Sequence, residues 1–277
     1  MLRDRVLTAA VLIPLLIAAI LLLPVMYLAF LFGFFVVMGA WEWSRLSGFT
    51  SIVSRIAYVG IAIMLMVSSY DWIHQFQFLR DILFLVFVGC LFTLVWLTIK
   101  PAEEVLSNAV NVYSRGIIGL ILLIPSWLAM LSVHAIGENG PYMLLSLFVL
   151  IGVADSAAYF TGKLMGVTKL APLISPGKTL QGVYGGLIVS LVAAAIIGNL
   201  LGFSGFNLWA FMSVALLSVV FSIVGDLFES VAKRSVGIKD SGSIFPGHGG
   251  VMDRIDGYTA AAPLYLLGLS WFPELLS

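Results

Sequence analysis

Long stretches without a charged side chain constrain this sequence most. From Thr179 to Gly225 no Asp, Glu, Lys or Arg occurs, and a second such stretch runs from Gly257 to Pro273. Further apolar runs reach about 18 residues or more, which is enough for a helix to cross a bilayer. Inside lipid every backbone N–H and C=O must be paired, and such uniformly apolar runs pair them as helices, not as alternating barrel strands. The chain is therefore predicted to be an all-α polytopic integral membrane protein.

The composition supports this class of protein. Hydrophobic residues make up 61% of the 277 residues and charged residues 10%, whereas a soluble domain has about 25% charged residues. The mean hydropathy is +1.10. The net charge of zero gives no indication of a nucleic-acid partner, and none is expected.

We predict about nine transmembrane helices. Arg3 and Arg5 precede the first apolar run, which is expected to be a retained signal-anchor because no convincing cleavage site ends it. Pro24 alone separates the first two spans, as a tight hairpin. The nine predicted spans are 6–23, 25–41, 56–73, 82–99, 116–136, 141–161, 180–202, 207–228 and 257–273.

The positions of Lys and Arg orient these spans, because cytoplasmic loops carry an excess of both. With a cytoplasmic N-terminus, thirteen of the fourteen basic residues fall on the cytoplasmic side and only Arg80 falls on the other. Both long charged loops, 162–179 and 229–256, then face the cytoplasm, where nucleotides are. A single missed span would scramble this asymmetry, so it also supports the predicted number of spans.

Charge is concentrated in residues 226–256. This stretch holds nine of the 28 Asp, Glu, Lys and Arg residues, between two uncharged runs. Charge near a bilayer is usually kept only where it has a partner or a task, so this stretch is the first candidate for an active site. Asp226, Glu229 and Lys233 are spaced by three and four residues and therefore share one helix face.

Asp253 and Asp256 also share a face if the last helix begins there. With Asp226 they form three carboxylates from two helix ends, a set that suits a hard cation such as Mg²⁺. The turn PGHGG at 246–250 lacks side-chain bulk at three positions, so its backbone N–H groups can approach an anion closely. The alternative is a solvated loop with salt bridges at the helix ends. Four basic residues would balance phosphate charge: Lys233, Arg234, Lys239 and Arg254.

A second polar cluster surrounds the sixth span. Asp155 and Tyr159 lie four residues apart in an otherwise uncharged apolar segment, where an ionisable residue indicates function. A packing role for Asp155, through a hydrogen bond to a neighbouring helix, remains the alternative. The following segment SPGKTLQGVYGG (175–186) offers the hydroxyl, ammonium and glycine groups that contact phosphates, although it is not a Walker A motif.

Spans one to four carry few polar residues. Trp41 and Trp43 are typical of an aromatic belt at the membrane interface, and Glu42 and Arg45 accompany them. We therefore divide the chain into residues 1–115, an accessory set of N-terminal transmembrane helices, and residues 116–277, a catalytic transmembrane region with cytoplasm-facing loops.

The charged motifs resemble the signature of the phosphatidate cytidylyltransferase (CDP-diacylglycerol synthase) family. The resemblance is close over residues 150–260, including the spacing between blocks; in the N-terminal half it covers only hydropathy and the Glu42-Trp43 pair. Two upstream segments, Asp155-x-x-x-Tyr159-x-x-Gly162 and Ser175-Pro-Gly-Lys178-Thr179-x-x-Gly182, resemble the family's other motifs. The C-terminal blocks are Ser230, Lys233-Arg234, Lys239-Asp240, Pro246-Gly247-His248-Gly249-Gly250 and Asp253-Arg254-x-Asp256.

Three positions depart from the family pattern without touching its carboxylates or basic residues. Ala232 stands where a bulkier apolar residue is expected, and Gly257 stands where Ser is usual. Gln181 occupies a position often taken by Glu, so it is not expected to bind a metal ion.

The resemblance implies the reaction CTP + phosphatidate → CDP-diacylglycerol + pyrophosphate, a committed step of phospholipid biosynthesis. It implies a bacterial inner (plasma) membrane enzyme whose active site faces the cytoplasm, with CTP, phosphatidate in the bilayer and membrane lipid as partners. A homodimer is compatible with it.

Mg²⁺ is expected at Asp226, Asp253 and Asp256, and a second metal ion stays open. The expected catalytic residues are Asp226, Lys233, Arg234, Lys239, Asp240, His248, Asp253, Arg254 and Asp256. The expected substrate-binding residues are Asp155, Tyr159, Ser175, Lys178, Thr179, Ser230, Pro246, Gly247, Gly249 and Gly250.

Two other functions stay open at this point. A CTP-dependent kinase acting on a polyprenol alcohol would attack the γ-phosphate and release CDP instead of pyrophosphate. A transporter with an ion site around Asp155 would usually show repeat symmetry and broken helices in both halves, whereas here the polar residues lie in one half.

Overall fold

The structure is a computed structural model that describes residues 2–99, 111–242 and 249–276. Within these residues it contains nine α-helices, one two-stranded sheet, and two short 3-10 helices at Tyr70–His74 and Pro273–Leu275. The α-helices are α1 (Leu2–Leu22), α2 (Val25–Ser47), α3 (Ile52–Ser69), α4 (Phe76–Ile99), α5 (Val112–His134), α6 (Gly140–Met165), α7 (Leu180–Leu200), α8 (Gly205–Ser235) and α9 (Met252–Ser270). The strands are β1 (Lys169–Ala171) and β2 (Ser175–Thr179).

The predicted all-α polytopic class is confirmed. Six helices in the described residues are long and apolar enough to cross a membrane: α2, α3 with the 3-10 turn after it, α5, α6, α7 and α8. The described apolar part of α1, Ala10–Leu22, is shorter, and α9 begins with the charged residues of its first turn. Each of the nine predicted spans coincides with a helix, but the count of nine membrane crossings stays a prediction.

The helix ends follow local sequence signals. Pro24 immediately precedes α2, and Gly48 ends that helix with φ at 101°, in the left-handed region that glycine adopts without a steric penalty. Asn111 begins α5, because its side-chain oxygen accepts a hydrogen bond from the backbone N–H of Ser114 at 2.8 Å. Thr179 begins α7 in the same way, with the N–H of Gly182 as donor at 3.1 Å.

The loop between the sixth and seventh predicted spans contains an antiparallel hairpin. Lys169 pairs with Thr179, and Ala171 pairs with Ser175. Because Thr179 both ends β2 and caps α7, the hairpin is fixed to the start of that helix. Lys178, the residue before the cap, is thereby held near the same end of the molecule as the C-terminus of α8.

Two glycines on α7 let this helix approach α6 closely. A Cβ atom at Gly182 would lie 2.8 Å from the carbonyl oxygen of Ala158, and one at Gly186 would lie 3.0 Å from that of Ala154. Small residues at a helix interface permit such backbone approach in membrane proteins. The contact places Asp155, next to Ala154, near the hairpin that carries Lys178.

The centre of the fold is α9. Almost every residue from Gly257 to Leu269 is buried, and a helix that is apolar and buried all round must be enclosed by other helices. It packs against α8, α5 and α4, while α2 packs against α5. This arrangement brings the C-terminal parts of α2 and α8 to the N-terminus of α9, where the charged residues lie.

Candidate active site

Lys233 joins α8 to α9 through two carboxylates. Its ammonium group donates hydrogen bonds to Glu229 Oε2 and to Asp253 Oδ1, each at 2.7 Å. All three side chains are at most 10% exposed. A buried charge pair is strongly destabilised when one partner is removed, because the other charge is left desolvated. The predicted helix face of Glu229 and Lys233 is thus observed, and both residues serve the internal structure of the site.

The carboxylate of Asp253 is fully engaged in hydrogen bonds. Its Oδ1 accepts from Lys233, while its Oδ2 accepts from the backbone N–H groups of Ser241 at 2.9 Å and Gly250 at 2.7 Å. Burial alone would raise the pKa of this carboxyl, but the bonds from Lys233 and the two N–H groups outweigh burial and lower its pKa. Asp253 therefore anchors both ends of the loop 241–250 on the first turn of α9.

Asp226 forms a second charged contact, between α8 and the hairpin. Lys178 Nζ lies 2.6 Å from Asp226 Oδ2, and the hydroxyl of Ser230 donates to Asp226 Oδ1 at 3.3 Å. Both charged side chains keep about a quarter to a third of their surface exposed, at 26% and 33%. Asp155, on α6, is close enough for the charges of Asp226 and Lys178 to act on it. The structure therefore brings the two predicted clusters together.

Asp256 lies where carboxylates crowd. It is close to Asp226 and Glu229, so three acidic groups from α8 and α9 act on one another. Glu229 Oε1 is buried and accepts no hydrogen bond from an N–H or hydroxyl donor in the described part of the chain, although the carboxyl of Asp256 is close enough to share a proton with Glu229. A buried oxygen without a partner, among like charges, is costly unless a cation or a proton joins it.

The basic residues of the site have different surroundings. Arg234 donates to the carbonyl oxygens of Ile174 at 3.2 Å and Ile238 at 3.0 Å, so its guanidinium fastens the hairpin and the turn after α8. Lys239 and Arg254 are exposed at the same end of the molecule. These two are therefore better placed than Arg234 to meet a ligand that arrives from solvent.

Several residues predicted to bind substrate have structural contacts. Thr179 is buried and caps α7, as described above. Ser175 pairs with Ala171 in the hairpin. Tyr159 is 62% exposed, and the ammonium of Lys163 lies 5.9 Å from its ring centroid.

The glycine-rich turn is described only in part, because Pro246, Gly247 and His248 lie outside the described residues. The positive φ of 80° at Gly249 favours glycine, and a Cβ atom there would lie 2.5 Å from Asp253 Oδ2. A Cβ atom at Gly250 would collide with the carboxylate of Glu42 and with the hydroxyl of Ser241. At these two positions the missing side chains leave room for carboxylates of the chain itself.

Residues 41–45 contribute contacts that the sequence did not indicate. The expectation of an interfacial belt is wrong for Trp43, which is 2% exposed; its ring Nε1 donates to the carbonyl of Arg115 at 2.8 Å and its ring stacks on Phe228. Glu42 and Arg45 reach the loop before α9. Only the Glu42-Trp43 pair in the family resemblance pointed toward this segment.

The three predicted metal ligands differ in their capacity to hold a cation. In the described parts of the chain, no group of three or more His, Cys, Asp or Glu side chains is arranged to hold a metal ion as it stands. Asp253 has both oxygens occupied, so it does not fit this role without giving up its present bonds. Asp226 and Asp256 fit better. Asp226 also has contacts on both oxygens, with Lys178 and Ser230, but Lys178 is a partly exposed side chain that can turn away, and the carboxylate of Asp256 lies close by as a second oxygen donor for Mg²⁺.

Comparison with known proteins identifies the family. The model of the cytidylyltransferase family matches residues 3–272. A protein of Pseudomonas aeruginosa named phosphatidate cytidylyltransferase is 41% identical over 267 residues, which cover 96% of each chain. Proteins of the same name from Haemophilus influenzae and Staphylococcus haemolyticus are each 34% identical; the matches cover 96% and 74% of this chain, and 97% and 74% of theirs. The predicted family resemblance is thereby confirmed, and the chain belongs to the cytidylyltransferase family.

Proposed function

We propose that this chain is a phosphatidate cytidylyltransferase, which converts CTP and phosphatidate to CDP-diacylglycerol and pyrophosphate. The observation that carries the proposal is the full-length similarity, at 41% identity, to a relative with that name. The charged network at one end of an apolar helix bundle supports it, since a reaction between a nucleotide and a membrane lipid needs a polar site at the bilayer surface.

The reaction joins two anions. An oxygen of the phosphatidate phosphate forms a bond to the α-phosphorus of CTP, while the bond from that phosphorus to the bridging oxygen breaks and pyrophosphate leaves with the electron pair. Catalysis of such a transfer consists mainly of positioning and of stabilising negative charge. Lys178, Lys239 and Arg254 supply positive charge, and Arg234 holds the hairpin that carries Lys178.

Asp226 and Asp256 are the residues that would hold Mg²⁺. When bound, Mg²⁺ neutralises charge on phosphate oxygens during the transfer. Lys178 now partners Asp226, so it is placed to turn to a phosphate oxygen when the carboxylate is engaged otherwise. Asp253 is assigned to positioning, because it holds Lys233 and the loop 241–250. The carboxylates of Asp155 and Glu229 lie nearby, so binding of a second cation stays an open part of the proposal.

The site is assigned to the cytoplasmic face of a bacterial inner membrane. This orientation rests on the thirteen basic residues that fall on one side of the predicted spans. Exposed apolar side chains on α6 and α7, including Phe160, Leu164 and Ile188, suit contact with lipid chains, so phosphatidate would enter sideways from the bilayer. A homodimer is part of the proposal and is tested by the molar mass of the purified protein in detergent.

A turnover assay tests the proposed function. The purified, detergent-solubilised chain is given labelled CTP and phosphatidate, with and without Mg²⁺, and both lipid and nucleotide products are followed. Formation of CDP-diacylglycerol and pyrophosphate, dependent on Mg²⁺, is expected. Release of CDP with a phosphorylated polyprenol would instead identify a kinase. Substrate flux across sealed vesicles without nucleotide turnover would identify a transporter.

A further inference from the structure

The carboxylate of Glu42, on α2, caps the N-terminus of α9. Glu42 is 3% exposed; its Oε1 accepts from the N–H of Val251 at 3.0 Å, and its Oε2 accepts from the N–H of Met252 at 2.8 Å. These are among the first N–H groups of α9, which have no partner inside the helix. Val251 makes no side-chain cap of its own. Glu42 therefore supplies the missing cap, and its negative charge lies at the positive end of the helix dipole.

The same carboxylate reaches Asp253 through one intermediate residue. The hydroxyl of Ser241 lies 2.8 Å from Glu42 Oε2 and 3.0 Å from Asp253 Oδ2. The N–H of Ser241 also donates to Asp253. The hydroxyl has a single proton; when it donates to Glu42, the N–H of Ser241 still donates to Asp253. Ser241 thus connects a residue of α2 to the carboxylate that holds Lys233, and a displacement of Glu42 is transmitted to the charged network by these two hydrogen bonds.

Arg45 adds a second contact from the same helix. Its guanidinium donates to the carbonyl oxygens of Ser241 at 2.5 Å and Asp240 at 3.4 Å. Glu42 and Arg45 thereby engage opposite groups of one loop segment, the hydroxyl of Ser241 and the carbonyls around it. Two glycines make this approach possible, since a Cβ atom at Gly242 or Gly250 would collide with the Glu42 carboxylate.

We propose that Glu42 is a positioning residue for the nucleotidyl transfer, which sets the first turn of α9 and, through Ser241, the place of Asp253. This inference deepens the proposed function and rests on it. It makes α2 part of the catalytic unit, although Glu42 contacts no reacting atom in the proposed reaction. Residues 1–115 then contribute to turnover as well as to anchoring.

Substitution of Glu42 by Gln tests the proposal in the full-length protein. The amide keeps the shape but places an NH₂ group against N–H donors. A displacement of about 1 Å far from the chemistry can lower a rate by about 100-fold, so kcat of E42Q should fall by about that factor. KM for CTP should change little, because Glu42 is not expected to touch the nucleotide. Hydrogen exchange of the amides at 249–256 should become faster.

Two further variants separate positioning from general destabilisation. S241A removes the connecting hydroxyl. Because Glu42 and Ser241 share one hydrogen bond, the loss of kcat in E42Q/S241A should be smaller than the product of the two single losses. S146A is the matched control: it removes a buried 2.7 Å hydrogen bond to Tyr265, farther along α9. It should lower thermal stability without changing kcat or the exchange at 249–256, and its effect on the free energy of unfolding should add to that of E42Q.

The outcomes distinguish the two proposals. If the wild type is active and E42Q has the same kcat and the same hydrogen exchange, the positioning role of Glu42 is wrong and the proposed function stands. Fully multiplicative effects of E42Q and S241A on kcat would also contradict the positioning role. A folded wild-type protein that makes no CDP-diacylglycerol overturns the proposed function, while unchanged exchange in E42Q still overturns the link from Glu42 to α9. If E42Q does not fold, S241A and R45K carry the same measurements.

Discussion

Lys233 and Asp253 are twenty residues apart in the sequence, and their side chains meet at 2.7 Å across the interface between α8 and α9. The same ammonium group also holds Glu229. One cation therefore balances two carboxylates at the point where the central helix begins. The geometry of the candidate site depends on this contact, because Asp253 in turn fixes both ends of the loop 241–250.

Replacement of Lys233 by Met should destabilise the protein and abolish turnover. The substitution leaves the carboxylates of Glu229 and Asp253 buried without their cation, which costs about 3–5 kcal/mol in comparable buried pairs. The measurement is thermal unfolding in detergent, together with the turnover assay. K239M is the control for stability: Lys239 is exposed, so its loss should shift the midpoint by far less. Equal unfolding midpoints for K233M and K239M would contradict the inferred contribution of the Lys233 contacts to stability.

The lowered pKa of Asp253 predicts how acid affects stability. A carboxyl whose pKa is lower in the folded state than its ordinary value of 3.8 stabilises the fold fully above that value, and this contribution is lost as pH falls through the lowered pKa. The difference in unfolding midpoint between the wild type and D253N should therefore be constant above about pH 5 and shrink toward zero at lower pH. If the difference in unfolding midpoint grew as the pH fell, the lowered pKa of Asp253 would be contradicted.

Asp226 to Asn tests the proposed metal role. The amide should weaken cation binding and lower turnover, with a loss of about 10- to 100-fold or more, and the Mg²⁺ concentration required for half-maximal activity should rise. D253N serves as the comparison, since Asp253 is assigned to positioning and its loss should lower kcat with a smaller change in that concentration. Wild-type turnover of D226N with an unchanged Mg²⁺ dependence would remove Asp226 from the proposed site.

Gly250 to Ala should destabilise the protein for a steric reason. The added methyl group would collide with the Glu42 carboxylate and the Ser241 hydroxyl, and forced overpacking costs about 1–3 kcal/mol. G60A is the matched control, because a Cβ atom at Gly60 in α3 meets nothing within 4 Å. Since alanine is the better helix former, G60A should be neutral or stabilising. A wild-type unfolding midpoint for G250A would show that the loop has room to move.

Local rules predicted the helices and the two polar clusters of the site, one in residues 226–256 and one around Asp155. The long uncharged runs require helices because lipid offers the backbone no hydrogen bonds, and residues three or four apart must share a helix face, as Glu229 and Lys233 do. The role of Glu42 could not be predicted this way, since its partners Ser241 and Val251 lie about 200 residues away. Nor could the spacing of Asp253 distinguish a metal ligand from an internal anchor, because that depends on the path of the loop around it.

Two substitutions at Thr179 distinguish a capping role of this residue from a role in substrate binding. T179A removes the hydroxyl that accepts from the N–H of Gly182, and loss of such a cap costs about 1 kcal/mol. T179S keeps the hydroxyl and should retain both the wild-type unfolding midpoint and the wild-type KM for CTP. Because Thr179 also fixes the hairpin that carries Lys178, T179A should lower stability and kcat together, while T179S changes neither. If T179A raised KM for CTP at an unchanged unfolding midpoint, Thr179 would contact the nucleotide, and the cap would be secondary.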